Sequence, residues 1–316
     1  MLSDIKKEYI GGEISKNEFM LKMFNTHKNL FGYPAFIKNS PVKKIEITHQ
    51  QVIFTIFNGH VNIKICCDKR DAHSLPMSYL NFSVYEEEEV NMITKLIKPG
   101  DIVFDIGANI GWHTLCVLLN HKETTVYSFE PIKETYQYLI KNLKLNKCGT
   151  DKAFNIGLSD ENTTGKFYYD IEYSPASSMA DLRESEDTVT VECKVKKLDD
   201  FISSTLSLKK LDFIKCDVEG AELLVFQGGY ETIKKYKPII LTEMLRKWAA
   251  KFNYHPNQII SFLKDLGYRC FIPHNGQLKV FFEMDENTVE TNFFFLHEEN
   301  HMKQLQKLQI SSTASG

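Results

Sequence analysis

The stretch Ile102-Val-Phe-Asp-Ile-Gly-Ala-Asn-Ile-Gly-Trp-His113 limits what this chain can fold into more than any other. Ile102, Val103 and Phe104 form a β-branched and aromatic run, the pattern of a buried strand. Asp105 ends it. Gly107 and Gly111 carry no Cβ, so the backbone there can turn tightly and pass close to a ligand. Trp112 to Leu119 then reads as a helix. Strand, glycine turn and helix in that order aim backbone N–H groups at a nucleotide-like ligand.

The spacing narrows the ligand. A dinucleotide site asks for G-x-G-x-x-G. Here the pattern is Asp105-x-Gly107-x-x-x-Gly111. A carboxylate at that strand end repels a pyrophosphate and suits an ammonium group, such as the one on S-adenosylmethionine. Thr125 to Phe129 reads as a second strand ending in Glu130, about 23 residues after Gly107, near the distance at which an acid accepts hydrogen bonds from both ribose hydroxyls. A plain βα turn capped by Asp105 would explain the glycines but leave Glu130-Pro131 without a role.

The whole chain is 316 residues, room for one large α/β domain and an accessory piece. A net charge of −3 argues against a general nucleic-acid binder while allowing a local basic patch. No apolar run is long enough for a membrane span, and none follows Met1-Leu-Ser-Asp-Ile-Lys-Lys as a secretory signal requires. Seven cysteines without a C-x-x-C pair read as reduced thiols in a cytoplasmic protein with no zinc site.

Taken in order, residues 3 to 30 read as an amphipathic helix, with Ser15 and Glu18 as a capping box. It either packs on the main domain or serves as a lid or homodimer contact. Val42 to His49, Gln51 to Phe57 and Val61 to Ile65 read as strands, and Asn58-Gly59 as a two-residue hairpin turn. Asp68 to Ser78 reads as a loop. Glu86 to Glu89 open a helix whose acids complement its dipole. Tyr85 and Glu86 enter just before the first main strand and could close over the pocket. Lys152 to Leu158 is the expected third strand, with Asn155 or a neighbour at the adenine edge. Ser174 to Ser185 reads as an exposed insertion, or else as a substrate flap. Leu211 to Cys216 and Lys237 to Glu243 read as strands ending near acids, Asp217, Glu219 and Glu243. Tyr268 to Ile272 and Asn292 to His297 complete the set, and Ser311 to Gly316 reads as disordered. The expected boundaries are 1–80 for an accessory helix and hairpin, 81–300 for the main domain and 301–316 for a tail.

These motifs are similar to those of the FkbM family of S-adenosylmethionine-dependent methyltransferases. The carrying residues are Tyr85-Glu86, Asp105 to Gly111, Phe129-Glu-Pro131, Asn155 to Asp160, Asp212 to Glu222 and Pro238 to Glu243. The resemblance spans roughly residues 80 to 245. It implies a Rossmann-like α/β fold of the class I methyltransferases: a seven-stranded, mainly parallel sheet with helices on both faces and the last strand antiparallel. It also implies O-methylation of a hydroxyl on a sugar, polyketide or related metabolite. The expected cofactor wall is Tyr85, Asp105, Gly107, Ala108, Asn109, Gly111, Glu130, Pro131, Asn155 and Asp217.

The sulfonium already activates the methyl group, so the protein must orient the nucleophile and take its proton. Asp217, Glu219 and Glu243 are the catalytic candidates, with Asp217 or Glu219 preferred as base and His113 behind them. Asp217 and Glu243 could instead hold magnesium against the acceptor oxygen, but the sequence offers no evident third ligand, so no metal site is assigned. A nicotinamide dehydrogenase is disfavoured by Asp105 and the missing glycine. An RNA methyltransferase is disfavoured by the absence of a basic face. A non-catalytic scaffold is disfavoured by the intact acids. The expected partner is a small-molecule or glycan acceptor, with no nucleic acid and no membrane.

Overall fold

The hydrophobic run before the glycine turn becomes the centre of the largest sheet. A computed structural model describes residues 2–170, 178–181 and 188–310. Its strands are β1 (Val42–Ile47), β2 (Val52–Phe57), β3 (Asn62–Ile65), β4 (Ile102–Ile106), β5 (Thr125–Phe129), β6 (Ala153–Phe154) and β7 (Gly157–Ser159). They continue as β8 (Thr163–Asp170), β9 (Thr188–Lys197), β10 (Phe213–Cys216), β11 (Ile239–Glu243), β12 (Tyr268–His274), β13 (Gln277–Phe281) and β14 (Asn292–His297).

The main sheet has the order β6-β5-β4-β10-β11-β14-β12-β13. Its first five strands run parallel. Strand β14 is antiparallel to β11, and β12 and β13 each reverse again. Order reverses at β4, with β5 on one side and β10 on the other. Such a switch point opens a crevice at the carboxyl ends of the strands. Side chains alternate between two cores. Phe104, Ile106, Ile214 and Ile240 join one, whereas Val103, Phe213, Ile239 and Leu241 join the other.

The expected seven strands are thus eight. The extra one is β13, which pairs with β12 through a two-residue turn. Asn275 and Gly276 stand there at φ 51° and 73°, the left-handed pair that a type I′ turn needs. That Asn-Gly signal was present in the sequence. The other one misleads. Phe57 pairs with Asn62, so Asn58-Gly59 sits in a four-residue loop rather than a two-residue turn. Asn58 is buried there because its Oδ1 accepts the N–H groups of His60 and Val61 while its Nδ2 donates to Cys116 Sγ.

Three other boundaries shift. The expected third strand divides: β6 stays in the main sheet, and β7 joins β9 and β8 in a separate one. Residues 75–78, expected as loop, instead open a helix, Leu75–Phe82. Met302–Leu308 forms a helix with Leu305 and Leu308 buried, so the chain there is packed structure rather than a tail. The Ser311–Gly316 expectation lies outside the described residues.

The N-terminal residues form two main helices, Leu2–Ile10 and Lys16–His27, neither with a buried residue. They pack on each other, with Tyr9 and Phe19 stacked at 4.5 Å and Lys22 2.6 Å from Glu8. The Ser15–Glu18 capping box forms as expected. What binds the accessory region to the main domain is the small sheet β1–β3. Fully buried Asn142 accepts the Cys66 N–H at 2.8 Å and donates to the carbonyls of Cys66 and Ile110. Asn142→Ala would strand those groups, and is expected to lower unfolding free energy by about 1–3 kcal/mol in urea titrations. A change under about 0.3 kcal/mol would show that Asn142 is not what joins the two parts. No helix among the described residues is long and apolar enough to cross a membrane.

Candidate active site

A cavity of about 280 Å³ opens at the carboxyl ends of β4, β5, β10 and β11. Gly107, Ala108 and Asn109 form one wall, and Glu130 and Pro131 continue it. Tyr85, Glu86 and His113 line another part, and Asp217, Glu219 and Glu243 face the same space.

Gly107 has φ +74°, and a Cβ there would stand 1.7 Å from the Asp217 carbonyl oxygen. The close approach that this glycine permits is therefore to the neighbouring backbone, with the cavity beyond it. Glu130 is buried, its Oε2 accepting the Asn109 N–H at 3.0 Å and its Oε1 the Ile132 N–H at 2.9 Å. Burial pushes its carboxyl up to about 7, against the pull of those N–H groups and Lys215. A hydroxyl donor from a ligand would act in the same direction as the N–H groups and favour the charged form.

Three expected cofactor contacts stand behind the wall rather than in it. Asp105 is buried, accepting the Thr114 hydroxyl at 2.6 Å with its other oxygen 3.7 Å from Lys215 Nζ. Gly111 is set by packing, since a Cβ would meet Leu139 Cδ1 at 2.6 Å. Asn155 donates to the carbonyls of Glu130 and Pro131 and so fixes the segment that carries the acid. Its neighbour Ile156 and Leu158 reach the cavity instead, because the chain changes sheets at this point.

Lys215 escaped the sequence reading. It is buried in β10, donates to the Gly107 carbonyl at 2.9 Å and lies 3.1 Å from Asp217. Burial works against its charge, but Asp217, Asp105 and Glu86 hold the ammonium above the ordinary lysine range. The signal was a lysine inside Phe213-Ile-Lys-Cys216, a strand buried on both faces, where a charge must be paired.

Asp217, Glu219 and Glu243 each place a carboxylate oxygen within 4.8 Å of the others. Burial, and then the Asp217 charge, push Glu219 and Glu243 well above the usual carboxylate range. Glu219 adopts φ 55°, and Gly220 beside it φ 100°. Glu219 supplies the third oxygen donor that the sequence reading lacked, so the set fits a hard cation as well as a proton. Ser178 donates to the Glu219 carbonyl at 2.8 Å and Met179 lines the cavity. The described part of the serine-rich segment is thus tied to the site rather than exposed; the rest of 174–185 lies outside the described residues.

Glu222 is buried. Its Oε1 accepts the N–H groups of Val218 and Gly220, and Tyr254 donates to its Oε2. Burial pushes it up to about 7. A carboxyl whose folded value exceeds its unfolded one contributes most below about pH 4.5 and loses that contribution as pH rises toward 7. Glu222→Gln keeps the accepting oxygen without the proton. It should therefore gain thermal stability relative to the wild type between pH 4.5 and 7, as read in paired melts. A constant difference across that window would refute the assignment.

His113 Nε2 lies 3.1 Å from Glu86 Oε2. Burial opposes both charges, yet Glu86 raises the imidazole and His113 lowers the carboxyl. The pair makes His113 an ion-pair partner of the cavity wall rather than a free base.

The family description "Methyltransferase FkbM domain" matches residues 105–270. The chain is similar to Methyltransferase 1 of Beauveria bassiana, 27% identical over 41% of this chain and 59% of that protein. It is similar to the 2-O-methyltransferase NoeI of Sinorhizobium fredii, 26% identical over 48% of this chain and 66% of that one. A human tRNA (guanine(37)-N(1))-methyltransferase is 36% identical over 23% of this chain and 14% of its own. The alignments thus span about three fifths to two thirds of the two microbial relatives and far less of the human one. The family match runs from Asp105 in β4 into β12, over more than half of the chain, and on that match the protein belongs to the FkbM methyltransferase family.

Proposed function

We propose that the protein transfers the methyl group of S-adenosylmethionine to a hydroxyl oxygen of a small-molecule or glycan acceptor. The observation that carries this reading is one cavity with Glu130 and the glycine turn on one side and three crowded carboxylates on the other. Glu130 accepts the ribose hydroxyls. Asp217, Glu219 and Glu243 would face the reacting end of the cofactor, with Glu219 and Glu243 beside the methyl group. The acceptor oxygen attacks in line, the C–S bond breaks, and its electrons stay on sulfur. The hydroxyl proton passes to Glu219, whose burial, together with the Asp217 charge, raises its affinity for protons. Family membership supports methyl transfer, and the name of the rhizobial relative supports oxygen as the target atom.

Formation of S-adenosylhomocysteine, measured with a panel of polyhydroxylated acceptors, tests the reading. Product should appear only when a hydroxyl acceptor is present. Binding of S-adenosylmethionine without turnover on any acceptor class would favour a scaffold role.

The three oxygen donors favour one variant, in which a hard cation at Asp217, Glu219 and Glu243 holds the acceptor oxygen. Loss of activity with a chelator, restored by magnesium, would select it over proton transfer to a free carboxylate.

A further inference from the structure

A second and larger cavity, about 1270 Å³, lies between β1, β2, the Tyr33–Ile37 helix, residues 67–71 and the helix Lys133–Leu145. Its floor is apolar, with Val42, Phe54 and Leu80 buried. Its rim is cationic. Lys38, Lys43, Lys44, Lys69, Arg70 and Lys141 line it, against the carboxylates Asp68 and Asp71. The chain as a whole carries −3, so this concentration of positive charge is not a background property. Asp68 is matched by Arg70 at 2.6 Å and Lys44 by Glu46 at 2.9 Å, which leaves Lys38, Lys43, Lys69 and Lys141 to outweigh Asp71 in the groove. Lys141 lies over the Tyr138 ring at 4.6 Å, and Tyr138 and Tyr33 both face the groove.

The groove adjoins the first cavity. Asp71 and Ser74 line both. A cavity of about 280 Å³ is at the small end for one drug-sized ligand. An adenosyl cofactor would occupy most of it, so the body of any acceptor must lie outside.

We propose that this groove binds the remote, anionic part of the acceptor: a polyhydroxylated molecule bearing sulfate, carboxylate or phosphate groups, whose target hydroxyl enters the first cavity past Asp71 and Ser74. The inference rests on the methyl-transfer reading above and adds the charge class of the substrate. The lysines give long-range attraction and the tyrosines give faces on which sugar rings can lie.

The test uses the full chain and four probes: a heparin-derived tetrasaccharide, inositol 1,4,5-trisphosphate, neutral maltotetraose and a short single-stranded RNA. Binding is measured at low and high salt, for the wild type and for a Lys44→Glu, Lys69→Glu, Lys141→Glu triple variant at exposed positions. S-adenosylmethionine affinity is measured on both. At least one anionic saccharide or polyol probe should bind about tenfold or more tighter than maltotetraose, weaken with salt and lose about tenfold or more in the triple variant. S-adenosylmethionine affinity should be equal in both proteins, which shows the variant folded. The sulfate and phosphate arms tell which group the groove prefers. Equal binding of the neutral sugar, tighter binding of RNA, or no effect of the triple variant would overturn the proposal. Failure of the wild type to bind S-adenosylmethionine would instead remove the reading on which the role of the groove rests.

Discussion

Glu219→Gln and Asp217→Asn are each expected to keep S-adenosylmethionine affinity within a few-fold while turnover falls by about 10²- to 10⁴-fold, the usual cost of losing a general base or its immediate support. The two losses should differ in kind. Glu219 takes the proton in this account, and its replacement removes the rising limb of activity with pH. Asp217 is 3.1 Å from Lys215 and is the largest charge raising Glu219. Its replacement leaves the base in place but lowers the proton affinity of Glu219, so the limb that remains should move to lower pH. Rates measured across pH 5 to 9 separate the two outcomes. Normal turnover in both variants would place the base elsewhere, with Glu243 next.

Glu130→Ala is expected to weaken S-adenosylmethionine binding by about 1.5–3 kcal/mol, the range for a charged hydrogen-bond partner. The carboxylate also holds the N–H groups of Asn109 and Ile132, so part of the loss would come from the loosened turn. A pH series separates the parts. Burial pushes the Glu130 carboxyl up to about 7, and ribose hydroxyls donate more strongly to its charged form. Wild-type affinity should therefore rise as pH climbs toward 7, and the alanine variant should lose that rise. An affinity that rises equally in both proteins would refute the ribose assignment.

Which acids line the cavity was legible at three strand ends. Glu130, Asp217 and Glu243 each follow a short apolar run, and such runs fix which end of a parallel strand opens on the crevice. The glycine turn was legible as well, although its partner was not. That Gly107 faces the Asp217 carbonyl depends on β4 lying beside β10, strands separated by more than 100 residues. Lys215, Glu222 and Ser178 were missed for the same reason. Their roles come from long-range neighbours, and their residue types are ordinarily exposed. Asp105, expected on the cofactor wall, stands behind it, with Thr114 donating to it and Lys215 nearby. The two Asn-Gly pairs show how far local signals reach. Asn275-Gly276 closes a tight turn, while buried Asn58 is claimed by Cys116 and by its own loop.

The central claim is that the cavity at the switch point holds S-adenosylmethionine. Titration calorimetry on the purified full chain tests it most directly, with S-adenosylmethionine and S-adenosylhomocysteine as ligands and NAD as the rival. The account predicts saturable one-to-one binding of both adenosyl ligands, weakened by Glu130→Ala, and no heat with NAD. Binding of NAD without binding of S-adenosylmethionine would contradict it.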